Sequence, residues 1–204
     1  MVTTVDKVEN VHFIAGIDVS VNRFRREGTA AVVVIDYPGL EVVEVKTVSG
    51  RVDFPYIPGL LSFRECPLVL EACAQLTITP DLFLVDGQGM AHPRRFGIAS
   101  HLGLLLDAPT IGCAKSRLCG THDEPHVPRG SQAALTDNGE LLGSVLRTKN
   151  AVKPVFVSAG YKISLSEAVL WVLRCCRGFR LPEPTRLAHQ AAGGHLVIKN
   201  KVLA

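Results

Sequence analysis

Four consecutive apolar residues, Leu82 to Val85, end at Asp86-Gly87, and this short run constrains the fold more than any other feature of the sequence. An apolar run without polar alternation is typical of a strand that is covered on both faces. The flanking segments Leu68 to Leu76 and Gly97 to Leu106 have helical apolar spacing, and Thr110 to Ala114 has the pattern of a further strand. Strand, helix and strand in this order predict parallel strands joined by a right-handed crossover.

The rest of the chain adds antiparallel elements around this unit. Pro38-Gly39 separates two β-branched runs, which predicts a β-meander near the start of the chain. Asp137-Asn138-Gly139 is a hairpin signal, and Ser164-x-x-Glu167 has the pattern of a capping box ahead of a helix that Gly178 would end. The further predicted elements are strands at His12 to Ser20, Thr29 to Tyr37, Glu41 to Ser49 and Pro154 to Ala159, hairpin strands at Ala133 to Leu135 and Leu141 to Arg147, and a short last helix through His189. We therefore predict an α/β fold with a mixed sheet flanked by helices, for which the ribonuclease H-like fold is one of several solutions.

Length and composition narrow the class of protein. A chain of 204 residues with 47% apolar residues fits one domain over residues 1–204, with peripheral ends at 1–11 and 195–204. The six cysteines form no C-x-x-C pair, which predicts reduced thiols. No segment has the pattern of a signal peptide or the length of a membrane span, so we expect a cytoplasmic protein that does not bind membranes. A net charge of +3 allows a nucleic-acid partner without requiring one, and enzymes and binding modules both remain open.

Three carboxylates stand where a metal site can be built. Asp18 ends the first predicted strand, Asp86 ends the short apolar strand, and Glu65 lies at the start of the helix between them. Strand ends that are neighbours in a sheet can bring carboxylates together, and magnesium prefers a few carboxylates, water and substrate phosphate. The alternatives are that Asp86 is a turn residue before Gly87, and that Glu65 is the acidic half of a capping box with Ser62.

The remaining candidates are weaker. His92 follows a glycine-containing loop, Lys115 follows a buried strand and can reach a phosphate or point to solvent, and His189 is most simply a surface histidine. Cys119, His122 and His126 offer zinc-type ligands, but the segment is better interpreted as an ordinary polar loop.

Four stretches of the sequence are long and specific enough, and follow one another in the right order, to identify a family resemblance. They are Phe54 to Glu65, Val85 to Gly103, Pro109 to Lys115 and Arg180 to His189. In these stretches the chain resembles the endonuclease V family, and the resemblance extends from about Ile14 to Gln190. It implies a ribonuclease H-like fold and hydrolysis of the second phosphodiester on the 3′ side of a deaminated base such as inosine, which leaves a 3′-hydroxyl and a 5′-phosphate.

The resemblance also implies roles for individual residues. Asp18, Glu65 and Asp86 match the acids that bind the catalytic metal, which would be magnesium with manganese as a substitute. His189 matches a further metal-site residue, and Lys115 matches a lysine near the scissile phosphate. The segment that matches a strand-separating wedge consists of Pro55, Tyr56, Ile57 and Pro58. The residues that match the region receiving the extruded base are Gly59, Leu61, Gly87, Gly89, His92, Ile98 and Ala114.

The expected partner is DNA, or RNA, containing deaminated bases, and we expect a monomer. Two other functions stay open: a nuclease of the same fold that cuts branched DNA, and a nucleic-acid-binding module without catalysis. The Pro55 to Pro58 segment argues for lesion recognition, and the three acids argue for catalysis. Members of the family carry a helix ahead of the first strand, whereas only a short polar segment precedes His12, so we expect a shortened chain or a misassigned start codon.

Overall fold

A computed structural model describes residues 8–22, 26–52, 54, 57 and 59–197. In this part of the chain, eight strands form one mixed sheet and four helices pack against it. The strands are β1 Phe13–Asn22, β2 Glu27–Asp36, β3 Val42–Arg51, β4 Leu82–Val85, β5 Thr110–Ala114, β6 Gln132–Asp137, β7 Glu140–Leu146 and β8 Val155–Tyr161. The helices are α1 Leu61–Ala74, α2 Ile98–Leu106, α3 Leu165–Arg174 and α4 Glu183–Ala192. Within the same residues, no helix is long and apolar enough to cross a membrane.

The strand order is β3-β2-β1-β4-β5-β8-β7-β6. Strands β1, β4 and β5 are parallel neighbours, and every other neighbouring pair is antiparallel. An antiparallel meander joined to a parallel β4-α2-β5 unit confirms the predicted ribonuclease H-like mixed sheet with flanking helices.

The sheet is covered on both faces, and the alternation of side chains along β1 shows the two layers. Ala15 and Ile17 pack with α1 and α2, whereas Ile14 packs in the core that contains α3 and α4. All four residues of β4 are buried, as a strand between two helical layers requires.

Two local sequence signals have the structure they predict. Asn138 and Gly139 form the two-residue turn between β6 and β7, and both have positive φ angles of 51° and 82°. That conformation belongs to the type I′ hairpin turn, which favours Asn-Gly. Ser164 caps α3, because its hydroxyl accepts a hydrogen bond from the N–H of Glu167.

The predicted start of α1 is wrong. The helix begins at Leu61 rather than Leu68, so Pro67 lies inside it. Pro67 is exposed, so water can satisfy the carbonyl that its missing N–H leaves free. The N-cap is Leu60, without a side-chain cap, and the capping-box alternative for Glu65 is therefore wrong as well.

The predicted end of α3 also differs. The C-cap is Cys175, and Gly178 has a positive φ of 79° three residues further along. A tertiary contact replaces the expected glycine cap, because the Cys175 carbonyl accepts a hydrogen bond of 2.8 Å from the N–H of Glu183 at the start of α4.

Gly16 allows α4 to pack directly on the backbone of β1. A Cβ atom at this position would lie 1.9 Å from the carbonyl oxygen of Pro184. Any side chain at residue 16 therefore requires the helix to move. Asp18, two residues further along the strand, is on the same face of the sheet as Gly16.

We predict that Gly16→Ala destabilises the protein by about 1–3 kcal/mol, the usual cost of overpacking a close contact. The matched control is Gly193→Ala at the other end of α4, where the nearest atom to a Cβ would be a His195 side-chain atom 3.3 Å away. Urea denaturation of both variants measures the effect. Equal stability of the two variants would show that α4 moves away from β1 at little cost.

Candidate active site

The register of β1 against β4 brings Asp18 and Asp86 to the same edge of the sheet. Ile17 pairs with Val85, and the N–H of Asp86 donates to the carbonyl of Ile17 at 2.9 Å. Both acids therefore lie one residue beyond this pair. The prediction that Asp18 ends its strand is wrong, because β1 continues to pair with β2 as far as Asn22 after β4 has stopped.

Two cationic or ionisable side chains reach these carboxylates from other elements. His189 of α4 places Nδ1 2.6 Å from Oδ2 of Asp18. Lys115, the residue after β5, forms an ion pair with Oδ2 of Asp86, and its Nζ lies 3.2 Å from Nδ1 of His189. Four of the five predicted catalytic residues thus form one connected group.

Asp18, Asp86 and His189 can hold a metal ion. Their candidate ligand atoms all lie within 4.8 Å of one another. Within the described part of the chain, these three residues are the group of histidine, cysteine, aspartate or glutamate side chains that lie close enough together to hold a metal ion. The two carboxylates suit a hard divalent cation, and the histidine nitrogen can complete its coordination.

Glu65 lies outside this group of three but within its electrostatic reach. Burial, followed by the charge of Asp18, raises the pKa of Glu65 to about 8. Burial and then Asp18 also raise the pKa of Asp86, against the opposing effect of Lys115. Crowded, poorly solvated carboxylates bind a proton when no other cation is present. A divalent cation would relieve the same repulsion, so the residues fit a metal site.

A cavity of about 350 Å³ adjoins the acids. Asp86 and Lys115 line it, so the cavity shares two side chains with the connected group of predicted catalytic residues. Its other lining residues are Ile57, Gly59, Leu61, Ser62, Gly87, Gln88, His92, Gly97, Ile98, Ala114, Ser116, Arg117 and Leu118. The volume is in the range of pockets for small organic ligands.

Known proteins share this arrangement of fold and sequence. The Endonuclease V family profile matches residues 1–190. The Endonuclease V of Gloeobacter violaceus is 58% identical over 184 residues, which are 89% of this chain and 75% of the relative.

The chain belongs to the endonuclease V family.

Solved structures of the family superpose on the fold. The Endonuclease V of Streptomyces avermitilis has a TM-score of 0.90 and 43% identity, over 96% of this chain and 86% of that one. The Ciona intestinalis Endonuclease V, solved with a 24mer DNA containing an inosine followed by a ribo-adenosine, has a TM-score of 0.79 and 29% identity. That match covers 96% of this chain and 91% of the Ciona chain.

Most of the residues that the family resemblance assigned to base binding line the cavity. They are Gly59, Leu61, Gly87, His92, Ile98 and Ala114, and Ile57 of the predicted wedge segment lines it as well. Gly89 is the exception, since its N–H donates to Oγ of Ser158 and a Cβ would lie 2.1 Å from the Ala159 carbonyl oxygen. Gly89 therefore packs the cavity wall against β8. Pro55, Tyr56 and Pro58 lie outside the described residues.

His92 presents a defined tautomer to the cavity. Its Nδ1 accepts a hydrogen bond from the backbone N–H of Arg94 at 3.1 Å, and burial lowers the pKa of the ring. A neutral ring whose Nδ1 accepts carries its proton on Nε2. His92 can therefore donate a hydrogen bond through Nε2.

Part of the cavity wall consists of residues that were not predicted from the sequence. Gln88 is buried, and its Nε2 donates to the Ser116 carbonyl at 2.9 Å, which joins the segment after β4 to the segment after β5. Leu118 is 52% exposed and lines the same wall. Gln88 lies between Gly87 and Gly89, which were both predicted to belong to the base-binding region, so its position in the sequence indicated a place in the wall. Nothing in the local sequence pattern distinguishes Leu118.

The possible zinc ligands have other contacts. The His122 ring bonds to the Asp123 carbonyl through Nδ1 at 2.8 Å and packs edge-on against Phe156. The carbonyl of His126 accepts from Arg147. Cys119 and these histidines form no metal-type group among the residues that the structure describes.

The raised pKa of Glu65 predicts a pH-dependent stability for the metal-free protein. Between about 4.5, the ordinary pKa of a glutamate, and about 8, the folded protein binds a proton that the unfolded chain has released. The free energy of unfolding should therefore fall as pH rises through this window. Glu65→Gln should remove that contribution, because glutamine does not titrate.

Urea denaturation in the presence of EDTA at several pH values in this window measures the difference between wild type and variant. Glu71→Gln, at an exposed position on the same helix, is the control and should follow the wild type. Parallel stability curves for wild type and Glu65→Gln would contradict the prediction.

Proposed function

We propose that the protein is a magnesium-dependent endonuclease that cuts a DNA strand beside a deaminated base such as inosine. The observation that carries this proposal is that Asp86 of the acid cluster and its ion-pair partner Lys115 also line the cavity. A base held in the cavity would have its own backbone beside the acids. The Ciona relative solved with inosine-containing DNA supports this choice of substrate.

The cavity suits a base taken out of the helical stack. A deaminated base pairs poorly, so its extraction costs less than that of a normal base. Ile57, Leu61 and Ile98 provide apolar walls, and His92 offers an Nε2–H donor to an acceptor such as the 6-oxo group of hypoxanthine. Adenine carries an amino group at that position, which cannot accept this hydrogen bond.

The acids and their partners would perform the hydrolysis. Asp18, Glu65 and Asp86, with His189, would hold magnesium, or manganese in its place, and the bound metal would supply water activation and charge stabilisation. His189 orients the Asp18 carboxylate, and Lys115 places a positive charge between Asp86 and the cavity. By family resemblance, the cut falls at the second phosphodiester on the 3′ side of the lesion and leaves a 3′-hydroxyl and a 5′-phosphate.

The cellular setting follows from the thiols. Cys66, Cys113 and Cys175 are buried, and all six cysteines are unpaired. Free thiols persist in the reducing cytoplasm, where we propose that the enzyme acts on DNA.

We predict that Asp18→Ala, Glu65→Ala and Asp86→Ala each lower magnesium-dependent nicking of an inosine-containing duplex by at least about a hundredfold, because each removes charge stabilisation from the reacting centre. Thermal melting should show that the variants remain folded. Asp123→Ala, an exposed acid in the polar loop, is the control and should cut normally.

The substrates decide between the candidate functions. Near-normal cutting by Asp86→Ala would exclude the proposed metal site. Preference for a branched duplex without inosine would favour the branched-DNA nuclease, and binding without cutting in magnesium or manganese would favour the non-catalytic module. An inosine-containing RNA strand in the same assay measures the preference between DNA and RNA.

Tyr56 generates a separate prediction, which rests on the sequence because this residue lies outside the described part of the structure. Its neighbour Ile57 is 41% exposed and lines the cavity, which supports a role for Tyr56 in binding the substrate. If Tyr56 stacks where the base has left, Tyr56→Ala should weaken binding to inosine-containing strands about tenfold, since such stacking contributes about 1–3 kcal/mol per base.

Gel-shift titrations on matched duplexes at several salt concentrations test this prediction. Binding to undamaged DNA and the slope of affinity against salt should not change, because phosphate contacts are unaffected. An equal loss on damaged and undamaged strands would mean that Tyr56 has a structural role.

A further inference from the structure

Arg94 joins the two sides of the cavity mouth. Its Nη1 donates a hydrogen bond of 2.6 Å to the carbonyl oxygen of Gly59. Its backbone N–H donates to Nδ1 of His92, one of the cavity wall residues. One residue thus holds the His92 ring with its main chain and the opposite segment with its side chain.

The segment that Arg94 holds is a tight turn. The N–H of Leu60 donates to the carbonyl of Ile57 at 2.9 Å, and Gly59 has a φ of 78°. A Cβ at Gly59 would lie 2.8 Å from Nη1 of Arg94, so the glycine permits the close approach as well as the turn. Ile57 and Gly59 both line the cavity, so their position shapes one side of it.

We propose that Arg94 is a positioning residue that holds Gly59, and with it Ile57 and Leu60, against the His92 wall and keeps the base cavity in its binding shape. The inference rests on the proposed function, because it concerns the cavity that would receive the extruded base. Without the bond, the binding-competent cavity is only partly populated, and apparent affinity falls by that fraction.

The competing role for Arg94 is a contact to substrate phosphate, which a pair of adjacent arginines near a nuclease site suggests. Arg95 is already engaged within the protein, since it bonds to Glu140 at 2.6 Å and to Asp137 at 2.9 Å. Its Nη1 also donates to the His92 carbonyl. Both guanidinium groups therefore bind protein oxygens, and that of Arg94 binds one on the cavity wall, which favours positioning over phosphate binding.

Arg94→Ala tests the inference against a matched control, Arg177→Ala. Arg177 is also exposed and also donates to a glycine carbonyl, that of Gly39, in the β2–β3 turn away from the acids. The first measurement is amide hydrogen exchange of Leu60 in the free protein. We expect faster exchange in Arg94→Ala and wild-type exchange in Arg177→Ala.

The second measurement is steady-state nicking of an inosine-containing strand at several salt concentrations. Arg94→Ala should raise KM about tenfold, the size expected for one charge-assisted hydrogen bond, with kcat within about twofold of wild type. The slope of log KM against log salt should not change. Arg177→Ala should leave KM, kcat and the slope unaltered.

Two results would overturn the inference. A salt slope reduced by about 0.7–0.9, with Leu60 exchange unchanged, would make Arg94 a phosphate contact. Unchanged exchange together with unchanged KM would mean that the bond positions nothing. If the wild type fails to cut inosine-containing strands, the proposed function fails, while Leu60 exchange still decides whether Arg94 holds the turn.

Discussion

The close contact between α4 and β1 at Gly16 is the constraint on which the acid cluster depends. Side chains alternate along a strand, so residues 14, 16 and 18 of β1 all face the layer that contains α4. Because Gly16 has no side chain, the start of α4 rests on the strand backbone at Pro184. His189, further along the helix, then lies 2.6 Å from Asp18. A packing requirement in the core thus determines the geometry of a surface site.

The cluster assembled in this way is electrostatically unfavourable without a bound cation. Burial and mutual repulsion raise the pKa values of Glu65 and Asp86, and Lys115 offsets only part of this effect at Asp86. A site of this kind reduces the stability of the metal-free fold and increases the affinity for a divalent ion, because the ion removes the repulsion. Since the carboxylates must be ionised to bind it, metal binding is coupled to proton release.

The sequence predicted the strands, the parallel unit and most cavity residues, because these depend on local apolar patterns and on motifs. It failed where tertiary contacts decide. Pro67 made the first turns of α1 unrecognisable as helix in the sequence, although the helix begins at Leu61. Strand β1 extends past Asp18 because β2 continues to pair with it. The partners of Arg94 and Arg95 come from segments far away in the chain, which no local pattern shows.

The cavity and the acids adjoin at Asp86, which lines the cavity itself and is followed directly by the lining residue Gly87. Asp86 belongs to the acid cluster, and Gly87 lines the cavity, where a Cβ would lie 2.5 Å from a side-chain carbon of Ile98. Gly87 must therefore stay without a side chain for α2 to pack at the cavity wall. Because Asp86 and Gly87 are joined by one peptide bond, the cavity and the acids keep a constant spacing in the fold. Under the proposed function, in which the cavity holds the base, this constant spacing would fix the position of the cut relative to the lesion, and the enzyme would not need to measure along the strand.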